Sequence, residues 1–138
     1  MSSEALILPV VALVALTALV WLAMVATRLT AVSRGAAPAR YYRGYSGDPP
    51  PEWVERPARA FMNLLEVPLL FYVVCVLMLV TGTVDSTQVA LAWIFVAVRA
   101  VHAGIHIGIN YVPARLLAYL AGCLVLAAIW MRFALQHF

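Results

Sequence analysis

Lysine is missing altogether: all nine basic side chains are arginine. Acids are scarcer, six in 138 residues, and charged residues make up only 11% of the chain. Cysteine is nearly absent. The two present, Cys75 and Cys123, sit inside apolar runs. That argues against a disulfide framework or a cysteine metal site and leaves them as small buried hydrophobes. The remainder is apolar, 65% hydrophobic with a mean hydropathy of +0.96. A soluble domain of this length cannot hide so much apolar surface, so the chain reads as an integral membrane protein. The arginine-only basic set points to a GC-rich bacterial genome, hence to the inner (cytoplasmic) membrane of a bacterium.

Four apolar stretches are long enough to cross a bilayer: about 6–29, 55–81, 88–109 and 114–133. The expectation is an all-α, up-down four-helix bundle forming a single membrane domain over residues 1–138. The first stretch follows Glu4 rather than a basic segment and is too long for a cleavable signal, so it is expected to stay as an anchor. Pro9 falls in its first turns, where a missing N–H does little harm. Pro57 is expected in the first turn of the second span, and Pro68 is expected to kink that span. Residues 30–54 form a polar connection holding three tyrosines, three glycines and Pro49-Pro50-Pro51. It reads as a solvated loop with an aromatic belt at headgroup level, or as a lid over a site.

The arginines orient the bundle. Six of them, Arg28, Arg34, Arg40, Arg43, Arg56 and Arg59, lie in or beside the first connection, and none lies in the turn near Asp85. By the positive-inside rule the first connection is cytoplasmic and both termini face the other side. Arg132 alone opposes this.

The second span opens with polar residues on one face. At about 100° per residue, Arg56, Arg59, Asn63 and Glu66 share a sector of roughly 80°. The third span repeats the pattern with Arg99, His102, His106 and Asn110, while Ala100, Gly104 and Gly108 form a small-residue stripe suited to close helix contact. Arg99 at mid-membrane costs about 2.5–3.5 kcal/mol on insertion scales, and Glu66 is the expected partner by depth. Arg115 and Tyr119 begin the fourth span. Arg115 opposes the helix macrodipole there, which makes it the least structural of the set. Three helices thus send polar faces to one level of the cytoplasmic half. Intramembrane ionisable groups are costly unless paired or used. Such a set suits an anionic, water-soluble ligand meeting an apolar one from the lipid, since arginines bind carboxylates in bidentate fashion and a nearby cation favours a thiolate.

The run Glu55-Arg56-x-x-Arg59-Ala60-x-x-Asn63-x-x-Glu66-x-x-x-x-Phe71 resembles the membrane-associated proteins in eicosanoid and glutathione metabolism. Arg99-x-x-His102, Pro113-x-Arg115 and Arg28 extend the resemblance over the four spans. It implies a homotrimer with glutathione as co-substrate bound between subunits. It also implies glutathione transferase or peroxidase activity on a lipophilic small molecule. Arg115 would stabilise the thiolate, and Arg28, Asn63, Glu66, His102 and Tyr119 would contact the tripeptide. His106 stands where some members carry a glutathione-facing Tyr, and Arg56, Arg59 and Arg99 would support the site. Met62 and Leu116 depart from the eicosanoid enzymes and argue against prostaglandin isomerase activity. No metal and no nucleic-acid partner is expected. Two other readings stand beside this one. One is a small proton-coupled transporter using Glu66; the other is a catalytically silent or lipid-binding relative.

Overall fold

The computed structural model describes residues 3–137, and these contain five α-helices and no strand. A 3-10 turn (Ser3–Leu6) leads into α1 (Ile7–Ser33). The short α2 (Tyr41–Gly44) interrupts the first connection, and α3 (Glu52–Thr81), α4 (Ser86–Ile107) and α5 (Val112–Leu135) follow. The four long helices are each long and apolar enough to cross a membrane. Helix α1 packs on α3 and α4 packs on α5, with further α1–α4, α3–α4 and α3–α5 contacts closing the bundle.

The core is a seam of large side chains. Leu13 and Val20 of α1, Leu64, Phe71 and Met78 of α3, Phe95 of α4, and Leu126 and Ile129 of α5 form one buried cluster. Phe71 and Phe95 stack with ring centroids 4.7 Å apart and an 18° interplanar angle, close to the offset arrangement aromatic pairs favour. Outer faces carry exposed Leu, Val, Ile and Trp on every long helix, for example Leu19, Leu69, Trp93 and Leu124. A surface that apolar suits lipid rather than water.

Several local expectations change. Helix α3 starts at Glu52, so Pro57 lies in its second turn rather than its first, and both Pro57 and Pro68 sit inside the helix. Each removes one i→i−4 donor, yet the helix continues through both. Helix α4 ends at Ile107, so Asn110 belongs to the turn before α5 and not to the polar face of α4. Ala100 and Gly104 face away from the rest of the chain, and a Cβ at Gly104 would meet nothing within 4 Å. The small-residue stripe therefore does not pack within the protomer.

Contacts at two connections hold the helices in register. Asp85 caps α4 by accepting from the Gln88 N–H at 2.8 Å. Its other carboxylate oxygen accepts from Arg132 Nη2 at 2.6 Å, Arg132 Nε at 3.1 Å and Gln136 Nε2 at 2.9 Å, clasping the α3–α4 turn to the end of α5. Gly82, at φ 68°, ends α3 in the left-handed conformation that glycine adopts without Cβ strain. The first connection also folds back onto the bundle. Ala31, Ala37 and Val54 form a small buried cluster with Tyr42 against it.

Candidate functional site

The termini of four helices meet at the end of the bundle that carries the first connection. There the C-terminal part of α1, the N-terminal part of α3, the C-terminal part of α4 and the start of α5 enclose a cavity of about 910 Å³. That lies within the usual range for ligand sites. Most of its wall is apolar, with Met24, Phe61, Met62, Val112 and Leu116 contributing. Its charged lining consists of Arg28, Arg59 and Arg115 against one carboxylate, Glu55. Tyr45, Asn63, His102, His106 and Tyr119 complete the polar lining.

The inner wall is aromatic. His102 and His106 lie one turn apart on α4, both 3% exposed, with ring centroids 5.8 Å apart. The Tyr119 ring stands 5.9 Å from His102. The His106 Nδ1 is buried with no partner among the described residues.

Arg115 is held by its own turn. Its Nη1 donates to Asn110 Oδ1 at 2.6 Å. Asn110 has φ 48°, a left-handed conformation for which Asn is one of the tolerated residues. The Asn110 amide in turn donates to Glu52 Oε1 at 2.9 Å. Glu52 pairs with Arg56 at 3.0 Å, and Arg56 Nη1 donates to the Gly108 carbonyl at 2.8 Å. This chain of contacts ties the α4–α5 turn to the first turns of α3. It occupies Arg56, which does not line the cavity.

Arg28 is held differently. It has no ion pair among the described residues. Its guanidinium carbon lies 5.2 Å from the centroid of the Tyr42 ring, a cation–π distance. Tyr42 meets Tyr41 edge to face at 5.5 Å, and Tyr41 meets Tyr45 at 5.8 Å. Burial pushes the Tyr42 phenol above its ordinary pKa, with Arg28 pulling the other way. Tyr45, at φ 49°, ends α2 in the left-handed region and lines the cavity mouth. The polar connection is thus folded over the site rather than solvated throughout.

Arg99 and Glu66 stand apart from the cavity. Arg99 is fully buried, and its Nη2 donates to the backbone carbonyl of Asn63 at 2.6 Å. Its guanidinium carbon lies 5.7 Å from the Tyr119 ring centroid. No ion pair joins it to Glu66, which is exposed. The expected Arg99–Glu66 pair is therefore not formed. The Asn63 carbonyl keeps a second lone pair beyond its helical bond and lies within reach of the buried guanidinium, whereas Glu66 stays exposed. Gly122 of α5 lies beside the Arg99 stem, where a Cβ would stand 3.4 Å from Arg99 Cδ.

The structure thus gathers Arg28, Arg59, Asn63, His102, His106, Arg115 and Tyr119 around one cavity and leaves Arg56, Arg99 and Glu66 outside it. Sequence reasoning passed over Glu55 and Tyr45 as lining residues. Glu55 had a signal: it precedes Arg59 and Asn63 by one and two turns on the same face. Tyr45 had none, because its place depends on how the connection folds.

A sequence model described as the MAPEG family matches residues 6–135, nearly the whole chain. Neither curated proteins nor solved structures gave a match.

Proposed function

The chain belongs to the MAPEG family, and we propose that it is a membrane-bound glutathione transferase or peroxidase acting on lipophilic electrophiles. The observation that carries this reading is the charge imbalance of the cavity. Three guanidiniums and one carboxylate line a space whose remaining wall is mostly apolar. A ligand with more carboxylates than amines balances those charges, and an apolar co-substrate reaches the same space from the lipid. Glutathione, with two carboxylates, one ammonium and one thiol, fits that requirement.

In this reading Arg115 holds the thiolate. A neighbouring guanidinium favours deprotonation of a thiol whose free pKa is about 8.5, and the thiolate is the reactive form. The Asn110 side chain keeps one edge of that guanidinium engaged, so the remaining N–H groups are free to face the sulfur. Arg28 and Arg59 bind carboxylates, Asn63 and the His102–His106 wall orient the backbone of the peptide, and Tyr119 lies one turn deeper than Arg115. In transfer, the sulfur forms a bond to the electrophilic carbon as the leaving group departs with its electron pair. The thiol proton passes to solvent. In peroxidase turnover, two glutathione molecules reduce a lipid hydroperoxide to the alcohol and water, forming one disulfide.

The same reading includes a homotrimer in a bacterial inner membrane, with the cavity on the cytoplasmic side and the termini on the other. The outward-facing Ala100, Gly104 and Glu66 support association of protomers, because small residues permit close helix approach and a lone carboxylate on a lipid-facing surface is costly.

The test is a thermal melt of the purified chain with and without glutathione. Binding stabilises by RT ln(1 + [L]/Kd), about 2.7 kcal/mol at a hundredfold excess over Kd. The expected result is a clear upward shift that shrinks in Arg115→Ala, together with conjugation of a lipophilic halonitroarene. A wild-type chain that shows no shift and no turnover with glutathione overturns the proposal.

A further inference from the structure

We propose that the exposed arginines of the first connection, Arg34, Arg40 and Arg43, form a docking surface for anionic phospholipid headgroups of the leaflet at this end of the bundle. This surface is separate from the cavity, whose arginines are Arg28, Arg59 and Arg115, so it stands even if the glutathione reading fails.

Between Arg28 and Glu52 the chain carries three arginines and a single acid, Asp48. All three arginines are exposed. None forms an ion pair among the described residues. The next acids along the chain already stand beside other cations. Glu52 pairs with Arg56 at 3.0 Å, and Glu55 Oε2 stands 3.8 Å from Arg59 Nε. Like charges gathered on one segment repel, and an anionic surface outside the chain relieves that repulsion.

Depth places the segment at the lipid headgroups. Helix α1 has 27 residues, and at 1.5 Å per residue it is about 40 Å long, against a hydrocarbon core of about 30 Å. Its C-terminal end and the connection that follows therefore reach the headgroup layer. Tyr45 and Trp53, both exposed, flank the arginines and belong to the residue types that settle at this level.

The arginines also sit on an ordered platform. The Arg43 N–H donates to the Arg40 carbonyl at 3.2 Å, and side chains three positions apart on such a turn are neighbours. Tyr41, between them in the chain, is buried, and Ala31, Ala37 and Val54 pin the connection to the bundle. A headgroup therefore meets guanidiniums whose backbone is already fixed, which lowers the ordering cost of binding. The planar guanidinium matches a phosphate in bidentate fashion. Arg34 follows the last turn of α1, where its charge also complements the helix dipole, so Arg40 and Arg43 carry the test.

The experiment equilibrates the purified full chain with detergent micelles containing equal amounts of phosphatidylglycerol and phosphatidylcholine of the same acyl chains. The lipids that stay bound through size exclusion are then quantified. The wild type is expected to retain phosphatidylglycerol over phosphatidylcholine by about fivefold or more, the effect of one guanidinium near an anionic surface. The double variant Arg40→Gln/Arg43→Gln brings the ratio toward one, while Arg40→Lys/Arg43→Lys keeps a preference. Both are expected to melt like wild type, because neither arginine has an ion-pair partner to lose. Arg43→Gln alone gives a partial loss and serves if the double variant folds poorly. Equal retention of the two lipids by wild type overturns the proposal, and so does a preference undiminished by removing both charges. Inorganic phosphate is expected to act no differently from sodium chloride at equal ionic strength. If phosphate abolishes the preference where chloride does not, the patch is a site for free anions and lipid docking is overturned.

Discussion

Arg115 and Asn110 are joined by a 2.6 Å hydrogen bond from the guanidinium to the side-chain oxygen. The cation most exposed to an unfavourable helix dipole is thus anchored by a residue in left-handed conformation five positions earlier. The turn does more than connect two helices. It sets where the guanidinium points, and it is itself fastened to α3 through Glu52 and Arg56.

The first prediction concerns that anchor. Asn110→Gly keeps the left-handed backbone but deletes the amide, so its effect reports the side chain. We expect a turnover loss of about tenfold or more with folding largely intact, since a hydrogen bond to a charged group contributes about 1.5–3 kcal/mol. Asn110→Val adds backbone strain of about 1–2 kcal/mol for a left-handed residue, and its melting temperature falls below that of the glycine variant. Equal turnover in wild type and Asn110→Gly would refute the anchoring role.

Gly108 supports the same turn. Its ψ of −102° is outside the helical range, and an added Cβ would lie 2.9 Å from the Gly104 carbonyl oxygen. Since that atom is backbone, it cannot move aside cheaply. Gly108→Ala should lower the melting temperature and weaken glutathione binding together, as read by melts and titration. Gly122→Ala is the control: at 3.4 Å from Arg99 Cδ the added methyl makes an ordinary contact. It should be neutral or stabilising by up to about 1 kcal/mol through helix propensity.

Arg99 tests whether a buried guanidinium needs its charge. It has one hydrogen bond, to the Asn63 carbonyl, and an aromatic face, while its Nε and Nη1 have no partner among the described residues. Replacing it with a chain of similar length should therefore be nearly neutral, whereas truncation leaves a void. Arg99→Met is expected within about 1.5 kcal/mol of wild type, and Arg99→Ala about 2–5 kcal/mol less stable. Reversible denaturation in detergent measures both. A strongly destabilised Arg99→Met would mean that the charge itself is required.

Acid should release the clasp at the far end. The Arg132 hydrogen bond, chief among its contacts, holds the Asp85 carboxyl below its ordinary value. A lowered folded-state pKa means the contribution is fully present above the unfolded carboxylate range, near pH 4, and is lost as pH falls through the lower folded value. Asp85→Asn should therefore melt below wild type at pH 7, and the gap should close as the pH drops below about 4. A gap independent of pH would show that the clasp does not depend on the carboxylate charge. High salt should narrow the gap as well, because the pair is partly exposed.

Much of this protein was decided by sequence alone. Four apolar runs of spanning length leave helices as the economical way to satisfy every main-chain group in lipid, because each helix pairs its own N–H and C=O groups. The 3.6-residue repeat put Arg59 with Asn63 and His102 with His106, since neighbours on one helix face are a local property. The resemblance to the MAPEG family rested on those same local spacings. Partners across helices were another matter. Depth suggested Arg99 with Glu66, but Glu66 stays exposed and the guanidinium donates to the Asn63 carbonyl instead. Asn110 looked like a continuation of the α4 face until the helix ended two turns after Arg99. Tyr45 entered the site through the fold of the first connection. Such contacts join residues far apart in the chain, and no periodicity encodes them. Which polar groups face the cavity, and which are spent on holding it open, was settled only by the packing of helices against one another.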